Sequence, residues 1–383
     1  MNFPLVSALL LATSVSFADD LSFQPDTSEA LAAQNHVENI LIATYERVLA
    51  EPTYSESELT NAPISGFGES RGRNLLTFAA FNNFPELALW GLAHSAGINT
   101  ADRDGATMLR MSLANYNVQM TDIALKNKAD PNMVIGQGDD TMLSALLSWQ
   151  WPEVGFELAK LYGALPRTKK EKNIVRKYLL QRNADNDTLI NHFDSLSVIE
   201  NPLRKPSKGN FIETNMMDEM DADLLRSMTG EFPLLNQVVI DSFSQQGKNF
   251  ESFLAFNGFS KSLAYRLQNM PFEQAEAVVM QRDSSGNDLL LAAIKSLNSD
   301  TVEVVLETTY ATINTPVPHK KQYYTPGLRP WHIADLWEAP KEIKKLLIQY
   351  GVDKSADHTA AVFLDQFGKK TENKFFSNEI KGK

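Results

Sequence analysis

Apolar and polar residues alternate with helical spacing in three consecutive segments of the first half of the chain. Each segment contains one apolar stretch and, twelve residues later, a second one. The six stretches begin at Asn74, Glu86, Thr107, Gln119, Thr141 and Glu153. Apolar positions that recur every three to four residues place one face of a helix against a core. The pattern therefore predicts three pairs of amphipathic helices, repeated at intervals of 33 and 34 residues.

A turn-forming string closes each of these helix pairs, and two further pairs follow near the C-terminus. The first three pairs end at residues 96–99, 128–132 and 162–166, and the later pairs cover residues 286–314 and 329–353. Three units carry a glycine in the turn before their first helix, where a positive φ is easily adopted: Gly72, Gly105 and Gly286. One helix pair cannot bury its own apolar face, so a period of this length predicts neighbouring pairs that stack.

The repeated unit resembles the ankyrin repeat, in which a turn, a TPLHxA helix, a second helix and a closing loop recur at about 33 residues. The string RPWHIA at residues 329–334 is most similar to the TPLHxA block, and YGVD at residues 350–353 is similar to the closing loop. The resemblance implies an all-α fold, an ankyrin-repeat solenoid of stacked helix pairs with a helical N-terminal cap and a diverged central region. It also implies that His332 hydrogen-bonds between neighbouring repeats.

The pattern divides the chain into six regions. They are a signal peptide (1–18), an N-terminal helical cap (19–68), ankyrin repeats (69–165), a diverged helical or ankyrin-like region (166–280), further ankyrin repeats (281–355) and a C-terminal tail (356–383). The central region contains one basic and one acidic helical stretch. Two interpretations of it stay open: diverged repeats, or a helical insertion between two arrays.

The N-terminus has the features of a secretory signal peptide. An apolar run from Leu5 to Val15 precedes Ser16-Phe17-Ala18, whose small residues suit a signal peptidase, although Lys and Arg are missing from the residues before the run. The run is about half of the ~20 residues that a membrane-spanning helix needs, which disfavours a retained anchor. We expect cleavage after Ala18 and a mature protein in a bacterial periplasm, without stable membrane insertion.

Composition and charge narrow the classes of partner and cofactor. The chain has 36 Lys and Arg against 47 Asp and Glu, a net charge of −11 that repels phosphate backbones, so we expect no nucleic-acid partner. It has no cysteine, which excludes disulfides, thiolate metal sites and a cysteine nucleophile. The six histidines show no metal-ligand spacing. We therefore expect neither a metal nor a cofactor.

One motif points to catalysis. The string Gly68-Glu69-Ser70-Arg71-Gly72 fits the G-x-S-x-G elbow of serine hydrolases, which requires a buried strand before the serine and a helix directly after it. Residues 61–67 have the composition of a Pro- and Gly-containing loop instead, and Gly72 serves as the turn glycine of the first repeat. We favour a protein that is not an enzyme and keep a serine hydrolase using Ser70 as an alternative.

Partner binding in a repeat array is expected at exposed turns, because the buried positions serve packing. The three longest turns cover residues 99–104, 132–140 and 314–327. Adjacent tyrosines in the last turn have the amphipathic surface that binding hot spots favour, but they equally suit a cover over the next repeat. The candidate partner-binding residues are Asp102, Arg103, Asp104, Asp139, Asp140, Lys320, Lys321, Tyr323 and Tyr324.

The resemblance also carries an expectation about function. Exported bacterial ankyrin proteins are similar, as a group, to immunity proteins against secreted antibacterial toxins, including phospholipase effectors of the type VI secretion system. This implies a non-enzymatic periplasmic protein that binds and neutralises a toxin by protein–protein interaction. A third interpretation also stays open, in which the protein assists a periplasmic peroxide-detoxifying enzyme in oxidative-stress protection.

Overall fold

The computed structural model consists almost entirely of short helices, which confirms the all-α prediction. It describes residues 27–65, 72–133, 141–147, 158–182, 190–191, 194–198, 214–229, 250–282, 287–315, 329–354, 362–364 and 370–372. The helices are α1 (Thr27–Leu49), α2 (Glu56–Asn61), α3 (Leu75–Asn82), α4 (Pro85–Ala93), α5 (Met108–Ala114), α6 (Val118–Lys126), α7 (Met142–Leu147), α8 (Lys169–Arg182), α9 (Met216–Thr229), α10 (Phe250–Asn257), α11 (Ser260–Gln268), α12 (Phe272–Met280), α13 (Leu289–Ser296), α14 (Ser299–Thr308), α15 (Pro330–Leu336) and α16 (Lys341–Gln349). The predicted signal peptide lies outside the described residues.

A small antiparallel hairpin lies in the predicted C-terminal tail. Its strands are β1 (Val362–Leu364) and β2 (Lys370–Glu372), and Phe363 pairs with Thr371 at its centre. Two strands of this length contribute little stability by themselves. The core is therefore helical.

Four of the predicted helix pairs are present in the described residues: α3 with α4, α5 with α6, α13 with α14, and α15 with α16. The first helix of three pairs begins at a side chain that accepts a hydrogen bond from the backbone N–H three residues on. These bonds measure 3.0 Å at Asn74, 3.3 Å at Thr107 and 2.9 Å at Asp288. The first N–H groups of a helix have no partner within it, so such residues define where each helix starts.

Four asparagines, one at the end of α2 and three in closing turns, form the same two hydrogen bonds to the closing turn of the next unit. The Asn61 Nδ2 donates to the Ser95 oxygen at 3.0 Å, and its Oδ1 accepts from the Gly97 N–H at 2.7 Å. Asn99 forms the equivalent bonds to Lys128 and Asp130, Asn132 to Gly163 and Leu165, and Asn314 to Gly351 and Asp353. We call these four residues the asparagine ladder. Each member satisfies backbone groups of the neighbouring turn, which holds consecutive units in one register.

The helices pack in two rows. In the first row α8 packs on α7, α7 on α5, and α5 on α3, while α10 packs on α13 and α13 on α15. In the second row the order of contacts is α6, α4, α1, α9, α11, α14 and α16. Each helix pair thus contributes one helix to each row.

The spatial order of the helices differs from the chain order at the centre of the molecule. The α3 and α10 helices meet where the Asn257 Nδ2 donates to the Asn82 Oδ1 at 3.3 Å and where the rings of Phe84 and Phe253 lie 5.5 Å apart. From this contact, the first array extends through α5 to α7 and the second extends through α13 to α15. Each array starts at the centre and extends outward.

The two arrays begin with similar sequences, 175 residues apart. The string FAAFNNF at residues 78–84 corresponds to FLAFNGF at residues 253–259. In both strings the asparagine Nδ2 donates to the first phenylalanine's carbonyl, at 3.1 Å from Asn82 and 2.9 Å from Asn257. The next residue has a positive φ in both, 59° at Asn83 and 73° at Gly258. The similarity therefore extends from the residues to the backbone.

A buried carboxylate accepts backbone hydrogen bonds at the start of the second helix in each of the two central pairs, α3 with α4 and α10 with α11. In α1, the Glu38 Oε2 accepts from the N–H groups of Glu86 at 2.7 Å and Leu87 at 3.1 Å, at the start of α4. In α9, Asp221 accepts from the N–H groups of Lys261 at 3.1 Å and Ser262 at 3.0 Å, at the start of α11. A negative charge at a helix N-terminus satisfies free N–H donors and the helix dipole. Glu38 in α1 and Asp221 in α9 therefore have the same role, each at the start of one second-row helix.

The core runs along the interface between the two rows. Its largest fully buried aromatic side chains are Tyr45, Phe78, Phe84, Phe250 and Phe259. They cluster at the start of the two arrays, where the surrounding helices are most numerous. Within the ranges given above, the structure has no helix with the length and apolar character that crossing a membrane requires.

Candidate binding surface

Arg73 contacts two apolar side chains, one on each of the neighbouring helices α3 and α5. Arg73 stands two residues before α3, and its Cζ lies 4.0 Å from the ring centre of Phe81 at the other end of that helix. Its Nη1 also lies 3.2 Å from the Sδ of Met111 in α5. Arg110 directly precedes Met111. We call Arg73, Phe81, Asp102, Arg110 and Met111 the arginine surface; Asp102 and Met111 are buried, and the other three are partly exposed.

Asp102 organises the turn between the first two helix pairs. Its Oδ1 accepts hydrogen bonds from the N–H groups of Asp104 at 3.0 Å and Ala106 at 2.8 Å, and its Oδ2 lies 4.0 Å from the Arg73 Nη1. Burial raises the pKa of Asp102, although the hydrogen bond from Ala106 and the charge of Arg73 oppose the shift. The carboxylate is thus part of the folded turn and supplies a negative charge beneath the arginines.

Arg110 is a partly buried cation whose guanidinium forms no direct ion pair with the described residues. Among the residues that the structure describes, none forms a hydrogen bond or an ion pair with its guanidinium, and its Nε is shielded from solvent. Burial lowers the pKa of Arg110, and the charges of Asp102 and Asp104 act in the opposite direction. A cation removed from water without a partner costs stability. Departures of this kind from good packing are expected at functional sites.

The second array holds a cation near the equivalent place, but that cation is enclosed. The Lys295 Nζ donates to the Asn287 Oδ1 at 2.6 Å and lies 5.7 Å from the ring centre of Phe256 and 5.4 Å from that of Trp337. Phe256 corresponds to Phe81 of the first array. Lys295 is only 6% exposed, so its charge is satisfied inside the protein. The two arrays therefore differ in how accessible their cations are.

The structure separates the predicted partner-binding residues into three groups. Arg103 and Asp104 are exposed in the turn, as predicted. Asp102 is 2% exposed, which corrects the expectation that its side chain faces a partner: its carboxylate turns inward because the Asp104 and Ala106 N–H groups bind it. The remaining candidates, and the proposed nucleophile, lie outside the described residues: Asp139, Asp140, Lys320, Lys321, Tyr323, Tyr324 and Ser70.

His332 is buried near the start of α15. Its Nδ1 accepts a hydrogen bond from the Arg329 N–H at 3.0 Å, within its own turn. The bond is equivalent to that in the first unit, where the Thr77 Oγ1 accepts from the Asn74 N–H at 3.0 Å. In the part of the chain with described coordinates, no three His, Asp or Glu side chains come together in a way that suits a metal ion.

Arg73 and Arg110 were missing from the sequence-based candidates. Position 110 is the third residue of a first helix, and the equivalent positions hold Thr77, Ser144, Leu291 and His332. An arginine at this position, where none of the other units has one, was the available signal. Arg73 offered no such signal, because the contact of its guanidinium with Phe81 depends on the side-chain rotamer, which the sequence does not reveal.

The chain was compared with known proteins through protein-family models and through curated sequences. No family model matches it, and no curated protein is similar to it.

Proposed function

We propose that this chain is an ankyrin-type repeat protein of the bacterial periplasm that acts by binding another protein and catalyses no reaction. In this proposal the two rows of helices form a solenoid-like scaffold, and the partner is a secreted antibacterial effector that the chain neutralises as an immunity protein. Phospholipase effectors of the type VI secretion system are the partner class that the family resemblance favours.

The asparagine ladder is the observation that carries the repeat-protein part of the proposal. Its four members make the same pair of bonds from one closing turn to the next, at the junctions where the sequence repeats. A ladder of this kind fixes the spacing and orientation of successive units, as a stacked repeat architecture requires. It also begins at Asn61, before the first recognised repeat, which supports the predicted role of α2 as part of an N-terminal cap.

The arginine surface supports a binding role. Phe81 and Met111 lie beside the Arg73 guanidinium, and the partly buried Arg110 has an Nε without a hydrogen-bond partner in the described structure. A mixture of arginine and apolar side chains is typical of protein interfaces.

The direct test is capture of a partner. The chain without residues 1–18 carries a C-terminal tag and is incubated with periplasmic extract of the source bacterium, with an unrelated tagged periplasmic protein as the control. We expect one protein in stoichiometric amount that co-elutes with the chain in gel filtration. Elution of the chain alone, from extracts of cells that are expressing their secretion systems, would count against the proposal.

A second experiment separates immunity from stress protection. A strain that lacks the gene competes with wild-type siblings that deliver their effectors, and a parallel culture receives hydrogen peroxide. Immunity predicts loss of the deletion strain in competition, rescue by the gene in trans, and unchanged growth in peroxide. Peroxide sensitivity with unchanged competition would instead favour the oxidative-stress interpretation.

A further inference from the structure

The helix α12 belongs to neither of the two rows of helices. It lies in the connection between α11 and α13, whereas the equivalent connection of the first array, residues 94–107, has no helix. It packs on α13 and α14, and its buried side chains are Ala275, Val278 and Val279. The stacking of repeats therefore does not account for the residues on its other side.

The outer side of α12 carries large apolar side chains. Phe272 is 62% exposed and Met280 is 48% exposed, and they lie on one side of the helix with Glu276 between them, because residues four apart are neighbours. The Thr309 Oγ1 donates to the Glu276 Oε1 at 3.4 Å, which brings the next residue, Tyr310, alongside the helix. Tyr310 is 64% exposed. A group of exposed apolar residues is typical of an interaction site, whereas single ones are normal. We call Phe272, Glu273, Glu276, Met280 and Tyr310 the α12 surface.

The charge around these apolar side chains is negative. Glu273 is exposed, Glu276 is partly exposed, and neither forms an ion pair with a described residue. Neither α12 nor α14 contains Lys or Arg, and the exposed residues of α14 include Asp300, Glu303 and Glu307. Charge complementarity therefore favours a cationic ligand. The same charge disfavours anionic lipid as the surface that covers α12.

The arginines and lysines of neighbouring elements do not neutralise this charge by ion pairs. Arg282 follows α12, and its Nη2 lies 3.7 Å from the Asp288 Oδ2. In α11, the Arg266 Nη2 lies 2.6 Å from the Glu251 Oε1, and both side chains are buried. No lysine of α16, which packs on α14, forms an ion pair with a carboxylate of α12 or α14. The carboxylates of the α12 surface are therefore available to a ligand.

The combination of charge and apolar area selects among possible occupants. In a symmetric contact between two copies of the chain, Glu273 and Glu276 would face the same residues of the other copy, and like charges oppose such a contact. A basic segment without apolar residues would leave Phe272, Met280 and Tyr310 in water. An amphipathic helix presents cationic and apolar residues on adjacent faces, and a flexible methionine adapts to apolar side chains of different shapes.

We propose that the α12 surface binds a cationic amphipathic helix of a partner protein. Phe272, Met280 and Tyr310 contact the apolar side chains of that helix, while Glu273 and Glu276 pair with Lys or Arg residues on its flanks. The α12 surface is separate from the arginine surface and lies on the second array. This proposal rests on the protein-binding function proposed above and adds the chemistry of one bound segment.

The test uses a defined probe, so it does not depend on finding the natural partner. The full chain without residues 1–18 is labelled with ¹³C at the methionine methyl groups, and the Met280 signal is followed by NMR. It is titrated with the amphipathic peptide acetyl-KLAKLAKKLAKLAK-amide, with the same peptide carrying Glu for every Lys, and with the same peptide carrying Ser for every Leu. Loss of one signal in Met280→Leu assigns it.

The proposal predicts a saturable shift of the Met280 signal with the lysine–leucine peptide and at least tenfold weaker binding of both control peptides. Phe272→Ser and Glu273→Gln should each weaken binding of the lysine–leucine peptide at least threefold. The matched changes on α4, Leu89→Ser and Glu86→Gln, should leave it within twofold, since both residues are exposed there. The wild-type titration stands without the variants, so a folding defect in one of them does not affect it.

Four results would overturn the proposal. Equal binding of the serine peptide would indicate charge attraction without an apolar site, and no shift with any peptide would show that the surface binds no such helix. A Met280 signal that moves on dilution without peptide would identify a second copy as the occupant. A signal that moves when residues 355–383 are removed would identify the chain's own C-terminal tail.

The outcome is distinguishable from failure of the proposed function. Failure of the partner capture described above, together with a positive titration, would overturn the proposed function and leave the peptide-binding site in place. Capture of a partner without any shift of the Met280 signal by the peptides would overturn only the assignment of the α12 surface.

Discussion

Arg110 is partly buried, and burial lowers its pKa although the charges of Asp102 and Asp104 oppose the shift. Removing water from a guanidinium that forms no ion pair lowers the stability of the folded protein. The same helix position in the second array holds Leu291, which is fully buried. The contrast indicates that packing alone does not require a cation there.

Replacing Arg110 with Met should therefore stabilise the protein. We expect the free energy of unfolding at pH 7 to rise by about 1 kcal/mol, since the unpaired charge is removed and a flexible apolar side chain remains. Urea denaturation followed by circular dichroism measures the change. Lys126→Met, at an exposed position, should change stability by less than about 0.5 kcal/mol. A clear loss of stability in Arg110→Met would mean that the guanidinium has a stabilising partner.

The raised pKa of Asp102 gives a prediction for pH. Its pKa in the folded protein lies above the ordinary value of 3.8, so between these two values the folded state binds the proton more strongly than the unfolded state. The contribution of Asp102 is therefore most favourable below pH 3.8 and is lost as the pH rises through the folded pKa. Relative to the wild type, Asp102→Asn should become more stable as the pH increases through this window.

Urea denaturation of both proteins at a series of pH values measures that difference. Asp104→Asn is the matched control, because Asp104 is exposed in the same turn. Its stability difference from the wild type should stay nearly constant through the window. A difference for Asp102→Asn that falls with rising pH would show that Arg73 and the backbone donors outweigh burial.

At the scale of the elements, the asparagine ladder joins short helices that would be unstable alone. Most of the described helices have six to ten residues, below the length at which an isolated helix persists in water. Packing within the two rows and the ladder bonds between turns therefore supply their stability together. Asn61 is the most buried member of the ladder, at 6% exposed.

Asn61→Ala should destabilise the protein by about 2 kcal/mol, because the Ser95 carbonyl and the Gly97 N–H both lose their partner. Thermal or urea unfolding of the full chain measures the loss. Asn127→Ala is the control, since Asn127 is exposed and its Nδ2 bonds only within its own helix, to the Ile123 oxygen. Equal losses of stability in the two variants would show that the bonds of the asparagine ladder contribute no more than a bond within one helix.

Helix pairs were predictable from the sequence because their signals are local. Apolar periodicity located α3 to α6, and a capping residue such as Asn74 or Thr107 marked the start of a helix within one repeat. The ladder was partly visible, since Asn99 and Asn132 stood in the predicted closing strings. Its first member, Asn61, was missed because it lies in the cap, where the repeat pattern is absent.

The environment of single charges was not predictable, because it depends on contacts between elements. The Asp-Arg-Asp-Gly turn has the composition of an exposed loop, and the inward direction of Asp102 follows from how the turn folds against Arg73. Glu38 had the appearance of a helix-surface residue, yet it is fully buried at the start of α4, 48 residues away. The sequence pattern of one helix contains no information about such a distant partner.

For the whole molecule, the two arrays that extend outward from a shared centre set the distribution of stability. Central helices have neighbours on both sides, whereas α7 and α16 lie near the ends of the rows. In stacked arrays, local stability depends on the number of neighbouring units. Hydrogen exchange should therefore be slowest in α3 and α10 and become faster in both directions along the rows. A maximum of protection at either end of the rows would contradict this arrangement.

Binding of a partner protein at the arginine surface is the central claim about the molecule as a whole. Hydrogen exchange measured by mass spectrometry, on the chain alone and on its complex with the captured partner, tests it most directly. The account predicts that the partner slows exchange in α3 and in residues 102–114, which include the Asp102 turn and α5, and leaves α14 and α16 unchanged. Protection confined to second-row helices, or no protection at all, would contradict it.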